Sequence, residues 1–208
     1  MAEALVASKF KVANVDYPSR HYSVEKLSEA AVSAGLDACT LAAVEHVHVV
    51  THSLGGILIR DYLKRQDIPE LQRIVMLAPP NHGSEVVDNL KDIPGFQWFN
   101  GPAGNQLGTD ENSVPLQLGA ISSDAAVIAG TRSINLYLST FLDNPDDGKV
   151  SVASARLDGM CAMLLLPVSH PYIMKDKKSI EQTISYLKTG RFTADSAEHF
   201  ECKVDTAD

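Results

Sequence analysis

The sequence predicts an α/β protein with a mostly parallel sheet and flanking helices. Three features carry that expectation. Short apolar runs alternate with helix-length segments; the run at residues 73–78 (Arg-Ile-Val-Met-Leu-Ala) is almost continuously apolar, as a strand buried on both faces should be; and polar residues of chemical interest follow the runs rather than precede them. At 208 residues and 45% hydrophobic, the chain suits one globular domain able to bury roughly 70% of its unfolded surface. That domain is expected over 1–192, with a polar tail over 193–208.

Taken in order, residues 10–16 (Phe-Lys-Val-Ala-Asn-Val-Asp) have the apolar content of a short strand, and Tyr17-Pro18 breaks it because proline cannot continue a central ladder. Ser23 is placed to cap a helix in which Leu27, Ala30, Ala31 and Ala34 recur at helical spacing. Gly35 is a break point, with more helix over 36–44. Residues 46–50 form the next strand, and beyond a small-residue turn Ile57, Leu58, Asp61, Tyr62 and Lys64 continue a helix toward Ile68-Pro69.

From 81 to 124 the periodicity fades and Pro94-Gly95, Gly101-Pro102, Gly104, Gly108 and Pro115 punctuate the chain. Long irregular segments in compact domains are usually functional or disordered. The aromatic cluster Phe96, Trp98 and Phe99 argues for packing, so a lid or substrate-pocket wall is expected here. Residues 125–130 and 161–168 are further strands. Ile180, Ile184 and Leu187 mark a closing amphipathic helix that Gly190 terminates, and the chain from Arg191 is polar and expected to be loosely held.

The net charge of -8, from 18 basic and 26 acidic side chains, argues against nucleic acid as a partner, because phosphate binding needs a clustered basic surface. An electrostatic membrane anchor is disfavoured for the same reason, and no stretch approaches the roughly 18 apolar residues of an integral membrane segment. Cys39, Cys161 and Cys202 are odd in number, widely spaced and without a CxxC pair, which suggests neither a disulfide framework nor a zinc site. A reducing compartment, hence a cytoplasmic location, is the simplest expectation.

The chemistry centres on Thr51-His52-Ser53-Leu54-Gly55-Gly56. A serine on a strained turn from strand to helix has its hydroxyl held clear of the backbone, and the next residue's N–H, here that of Leu54, is aimed at a developing oxyanion. Thr51 stands where the G-x-S-x-G pattern has its first glycine. A serine hydroxyl is a poor nucleophile without an imidazole to take its proton, and the imidazole needs a carboxylate to fix its tautomer. His170 follows the strand ending near Val168, and Asp147 lies in the loop after the strand ending near Gly130. Asp143 and Asp146 are rivals for the acid, and Asp147 is preferred because Gly148-Lys149-Val150-Ser151-Val152 after it resembles the D-G-x-V segment that bears the acid in many lipases. His46 and His48 would share a sheet face without a partner at metal-ligand spacing, and are expected to be structural. His52 lies inside the turn and His82 beyond a strand end, so both, with Trp98, are expected at the substrate pocket; His21 and His199 look like surface residues.

The order nucleophile, acid, base at strand ends resembles that of the α/β-hydrolases, specifically bacterial lipases and esterases. The resemblance runs from about Val12 to Phe192 and includes Asn14-Val15-Asp16-Tyr17-Pro18-Ser19-Arg20, the Ser53 turn, Ala78-Pro79-Pro80-Asn81-His82-Gly83-Ser84, Gly101-Pro102-Ala103-Gly104, the Asp147 loop and Leu166-Pro167-Val168-Ser169-His170. It implies hydrolysis of a small-molecule ester or lipid through an acyl-enzyme on Ser53, with no metal or organic cofactor. It also implies a strand and a His-Gly loop, source of a second oxyanion donor, ahead of residues 10–15. This chain has no His-Gly pair before Ser53, and residues 1–8 resemble the end of the helix that should follow such a loop, so the fold is expected to be N-terminally truncated. The missing strand would lie between 10–15 and 46–50. Either those two strands pair directly, or an open edge invites another chain and self-association. A catalytically impaired domain that binds an acyl ligand or a partner is the alternative to a working hydrolase.

Overall fold

The computed structural model describes residues 1–134 and 136–202. Its centre is a five-stranded sheet in the order β1 (Val47–His52), β2 (Leu71–Leu77), β3 (Ala125–Gly130), β4 (Ala162–Leu166) and β5 (Glu198–His199), in which the first four strands are parallel and β5 is antiparallel to β4. Because the strands are in register, with His52 opposite Leu77, Leu77 opposite Ile128 and Gly130 opposite Leu166, all four parallel strands release the chain at one end of the sheet. In open α/β sheets that end is where ligands bind.

The near-continuous apolar runs are explained by burial on both faces. Ile74, Met76, Val127 and Met163 point into a core shared with Ile59 and Tyr62 of α3 (Leu54–Arg65). Val75, Leu77, Ile128, Leu164 and Leu166 point the other way, onto Tyr186 and Leu187 of α9 (Lys177–Thr189) and Leu5 of α1 (Ala2–Ala7). α2 (Val24–Leu41) packs outside α3 through Val24 and Leu27 against Ile57 and Leu58. It runs unbroken through Gly35, where a side chain would meet only Val15, at 3.5 Å. α3 ends at Arg65, short of Ile68-Pro69. Gly190, at φ 73°, closes α9 as expected.

Several expectations are corrected. Residues 10–15 form no strand: Phe10 packs edge-on against His48, with ring centroids 5.8 Å apart, but no ladder joins the two segments among the described residues. A strand is stable only where a neighbour accepts its hydrogen bonds, and among the described residues β1 is paired on one side alone. The segment 81–124 is not irregular throughout, because it contains α4 (Glu85–Leu90), α5 (Phe96–Asn105, kinked at Gly101) and α6 (Val114–Leu118). Two further single-turn helices, α7 (Leu136–Ser139) and α8 (Val152–Ala155), flank the acid loop. As far as Cys202 the tail is held rather than loose: β5 pairs with β4, Phe200 N donates to Cys161 O at 2.8 Å, and Cys161 is disulfide-bonded to Cys202, while 203–208 lie outside the described residues. That bond, across 41 residues, was invisible in the cysteine spacing, and it removes the argument for a reducing compartment. No helix of the described residues is long and apolar enough to cross a membrane.

Candidate active site

Ser53 sits between β1 and α3 with φ 53° and ψ -122°, a left-handed conformation that costs a non-glycine residue on the order of 1–3 kcal/mol. The surroundings enforce it. Ser53 N donates to Leu77 O at 2.9 Å and Gly56 N to Ser53 O at 3.0 Å. A Cβ on Gly56 would lie 2.8 Å from Pro79 Cβ, so the helix start can approach the end of β2 only with glycine there. A Cβ on Gly55 would lie 3.3 Å from Thr51 Cβ. Gly55 thus supplies the room that lets threonine replace the first glycine of the pattern. Leu54 opens α3, and the first N–H groups of a helix have no intrahelical acceptor.

The structure brings Asp147 and His170 together. His170 Nδ1 lies 2.7 Å from Asp147 Oδ2, and both residues are buried, at 6% and 1% exposure. Asp147 Oδ1 accepts from Lys149 N at 3.0 Å and Val150 N at 2.8 Å, and His170 N donates to Asp147 O at 2.9 Å. The carboxylate accepts a hydrogen bond from Nδ1–H, which leaves Nε2 as the basic nitrogen. His170 Nε2 is buried and has no hydrogen-bond partner among the described residues, Ser53 Oγ included; such bonds often tighten only when substrate binds.

The rival carboxylates are directed elsewhere. Asp146 accepts from Gly148 N at 2.6 Å and from Ser139 Oγ at 2.5 Å, while Asp143 is exposed. Gly130 was read only as the end of a strand, yet its role is larger. A Cβ there would stand 2.4 Å from Val168 O and 2.7 Å from Asp147 Cβ, so this glycine lets the acid loop and the base loop close over the end of β3.

His52 faces His170 rather than an open pocket. Its Nε2 donates to His170 O at 3.1 Å and the ring centroids are 4.8 Å apart. Burial, followed by the nearby His170, pulls its pKa down to about 4, so it is neutral at ordinary pH. His82 lies just beyond β2, where its N donates to Ser154 O at 3.0 Å and its Nδ1 is buried without a partner among the described residues. Trp98 does not wall a pocket: it is 88% exposed on α5, and an indole that solvated encloses nothing. His48 serves packing, against Phe10.

Sequence reasoning also missed Arg60. Buried within α3, it donates to Asn81 O and Oδ1, both at 3.1 Å, to Pro115 O at 3.0 Å and to Gly119 O at 2.8 Å. Burial lowers its pKa to about 10, so it stays charged, and it pins both ends of the 81–124 segment onto the helix that Ser53 begins. The available signal was an arginine following three apolar helical residues, Ile57, Leu58 and Ile59.

No protein-family model and no curated protein matches the chain in sequence. Solved structures do match in shape. The propeptide form of Bacillus licheniformis lipase BlEst2 is similar at a TM-score of 0.62 and 18% identity, over 89% of this chain and 44% of the lipase. Its mature form gives 0.50 and 20%, over 74% and 65%. Phospholipase PlaB from Legionella pneumophila gives 0.55 and 21%, over 74% of this chain and 40% of that one. The chain therefore spans about two fifths to two thirds of the structures it resembles. Together with a parallel sheet that delivers Ser53, Asp147 and His170 from its carboxyl end, these likenesses establish that the chain has the α/β-hydrolase fold.

Proposed function

We propose that this chain belongs to a serine hydrolase of carboxylic esters, lipid or acyl, that works through an acyl-enzyme on Ser53. The observation that carries the reading is the buried Asp147–His170 pair, 2.7 Å apart, with His170 Nε2 unpartnered and its ring against the residue that precedes the strained Ser53. Ser53 Oγ attacks the ester carbonyl while His170 Nε2 takes its proton. The resulting oxyanion is met by the N–H of Leu54. Collapse breaks the bond to the alcohol, which leaves with the proton from His170, and a water activated by the same nitrogen then releases the acid. Asp147 holds the imidazole in the required tautomer and stabilises the imidazolium. His82 is the one predicted pocket residue kept in that role, being half-buried just beyond the end of β2 with its Nδ1 shielded from solvent. The 81–124 segment covers the site as a lid or wall.

The test is hydrolysis of a short-chain 4-nitrophenyl ester by the wild type, Ser53→Ala and Asp147→Asn chains. Turnover that depends on both side chains supports the reading, and turnover unchanged in Ser53→Ala overturns it. One observation favours a second reading, a catalytically impaired domain that binds an acyl ligand. Among the described residues β1, the strand that carries Ser53, has no neighbour on its outer side, where the family resemblance places a strand and a second oxyanion donor. Loss of one such donor costs on the order of 100 to 1000-fold. An impaired domain would show thermal stabilisation by a fatty acid that persists in Ser53→Ala, with no turnover in the wild type.

A further inference from the structure

Beside His170 lies a cleft of about 310 Å³ whose lining includes Arg132, Pro167, Val168, Ser169, Tyr172 and Lys175. We propose that this cleft, on the hydrolase reading above, binds an anionic group carried by the alcohol portion of the ester, a carboxylate or a phosphate. The proposal rests on position and on charge.

Position separates the alcohol from the acyl group. His170 Nε2 must hand its proton to the departing oxygen, so the alcohol leaves along the side of the site that His170 occupies. The cleft is walled by the two residues that precede His170, and neither Ser53 nor Leu54 touches it. A group extending from the leaving oxygen therefore enters it more directly than an acyl chain bonded to Ser53. Its volume is at the small end of ligand sites, and Pro167, Val168 and Tyr172 give it an apolar floor for a short carbon skeleton.

Charge selects the anion. Arg132 leaves the end of β3 and is fixed there by its N–H, which donates to Val168 O at 3.3 Å. Lys175 is held in the turn after His170 by its N–H, which donates to Tyr172 O at 2.8 Å. Neither guanidinium nor ammonium has a hydrogen bond or ion pair among the described residues, in a chain that carries eight more acidic than basic side chains. The carboxylate of Asp176, also in the lining, accepts from Ser179 N at 2.8 Å as the cap of α9 and offsets one of the two cations, which leaves the cleft one positive charge in excess. Two cations with anchored backbones and no side-chain partner among the described residues thus line a cleft that adjoins the chain leading into His170. A substrate anion would supply the missing counter-charge, and two exposed pairs should together favour it by about 3 to 10-fold.

The test compares kcat/KM for the butyryl ester of glycerol with those for the butyryl esters of glycerol 3-phosphate and of glyceric acid, all short enough to stay monomeric. The expected result is a 3 to 10-fold preference for an anionic ester that high salt removes. In R132Q/K175Q the preference disappears while turnover of the neutral ester is unchanged. Preference for only one anion supports the proposal and identifies the group. Equal turnover of neutral and anionic esters, or a preference that survives in the double variant, overturns it. If no ester is hydrolysed and Ser53 takes no fluorophosphonate, the hydrolase reading fails first. The cleft is then judged by titration with glycerol 3-phosphate and glycerate: binding of either that is lost in R132Q/K175Q supports the site, and binding of neither overturns it.

Discussion

The two edges of the sheet are finished in opposite ways. At one edge β5 closes β4 with an antiparallel pair and the Cys161–Cys202 disulfide fastens the chain beyond it. At the other, β1 is paired among the described residues only with β2, and residues 10–15 pass by with side-chain contacts but no ladder. The catalytic candidates are divided between them. Asp147 and His170 hang from β3 and β4, next to the fastened edge, and nearly every polar atom of the pair is satisfied. Ser53 hangs from the open one. The Asp147–His170 pair is therefore built into the better supported half of the molecule, while the proposed nucleophile depends on local devices: the bond from Ser53 N to Leu77 O and the close approach of Gly56 to Pro79.

The largest effect expected on the supported half is that of Asp147→Asn. Asparagine keeps the shape but presents an amide to His170 Nδ1 and favours the wrong tautomer, so kcat/KM should fall on the order of 10,000-fold with the fold retained by circular dichroism. Reduction of the disulfide, or Cys202→Ser, should destabilise the chain by about 2–4 kcal/mol in denaturant unfolding, since a loop across 41 residues is released. Reactivity of Ser53 should be little changed, because the staple is on the other edge.

His52 links the two halves and supplies a pH test. Its folded pKa of about 4 lies below the ordinary value of 6.5. The unfolded chain therefore binds the proton first as pH falls, and stability is full above about 6.5, declines down to about 4 and changes no further below that. The loss is at most about 3 kcal/mol, and His52→Gln, which retains a donor for His170 O, should remove that part of the slope. On the open side, Gly56→Ala should cost about 1–3 kcal/mol through its clash with Pro79 and should slow Ser53 reactivity while leaving the Asp147–His170 bond, read by the downfield Nδ1 proton resonance, in place. Self-association, where it occurs, is expected through β1. Sedimentation should then show a concentration-dependent dimer that reduction of the disulfide does not abolish.

The same division governs what could be read from the sequence. β2, β3 and β4 are legible because burial on both faces makes their apolar runs nearly continuous. The Ser53 turn is legible because a tight strand-to-helix turn demands small residues. Asp147 and His170 follow from chain order and from their places after strands. What failed needed information from distant parts of the chain. Residues 10–15 have strand composition but no partner, and composition does not report a partner. Glycine and proline made 81–124 look irregular, although Gly101-Pro102 only kinks α5 and Pro115 sits at the start of α6. Gly130 reads as punctuation until Val168 and Asp147 are seen against it, and the bond between Cys161 and Cys202 depends on β5 returning to β4. Trp98 misled because an aromatic cluster in a loop suggests a pocket whether or not the chain turns it inward.

The most direct test is intact-mass and peptide analysis of the folded chain after reaction with a fluorophosphonate. The expected result is a single covalent adduct on Ser53, absent in Ser53→Ala and formed much more slowly in Asp147→Asn. A folded wild type that takes up no label, or takes it on another residue, would contradict the assignment of Ser53 as a nucleophile activated by His170.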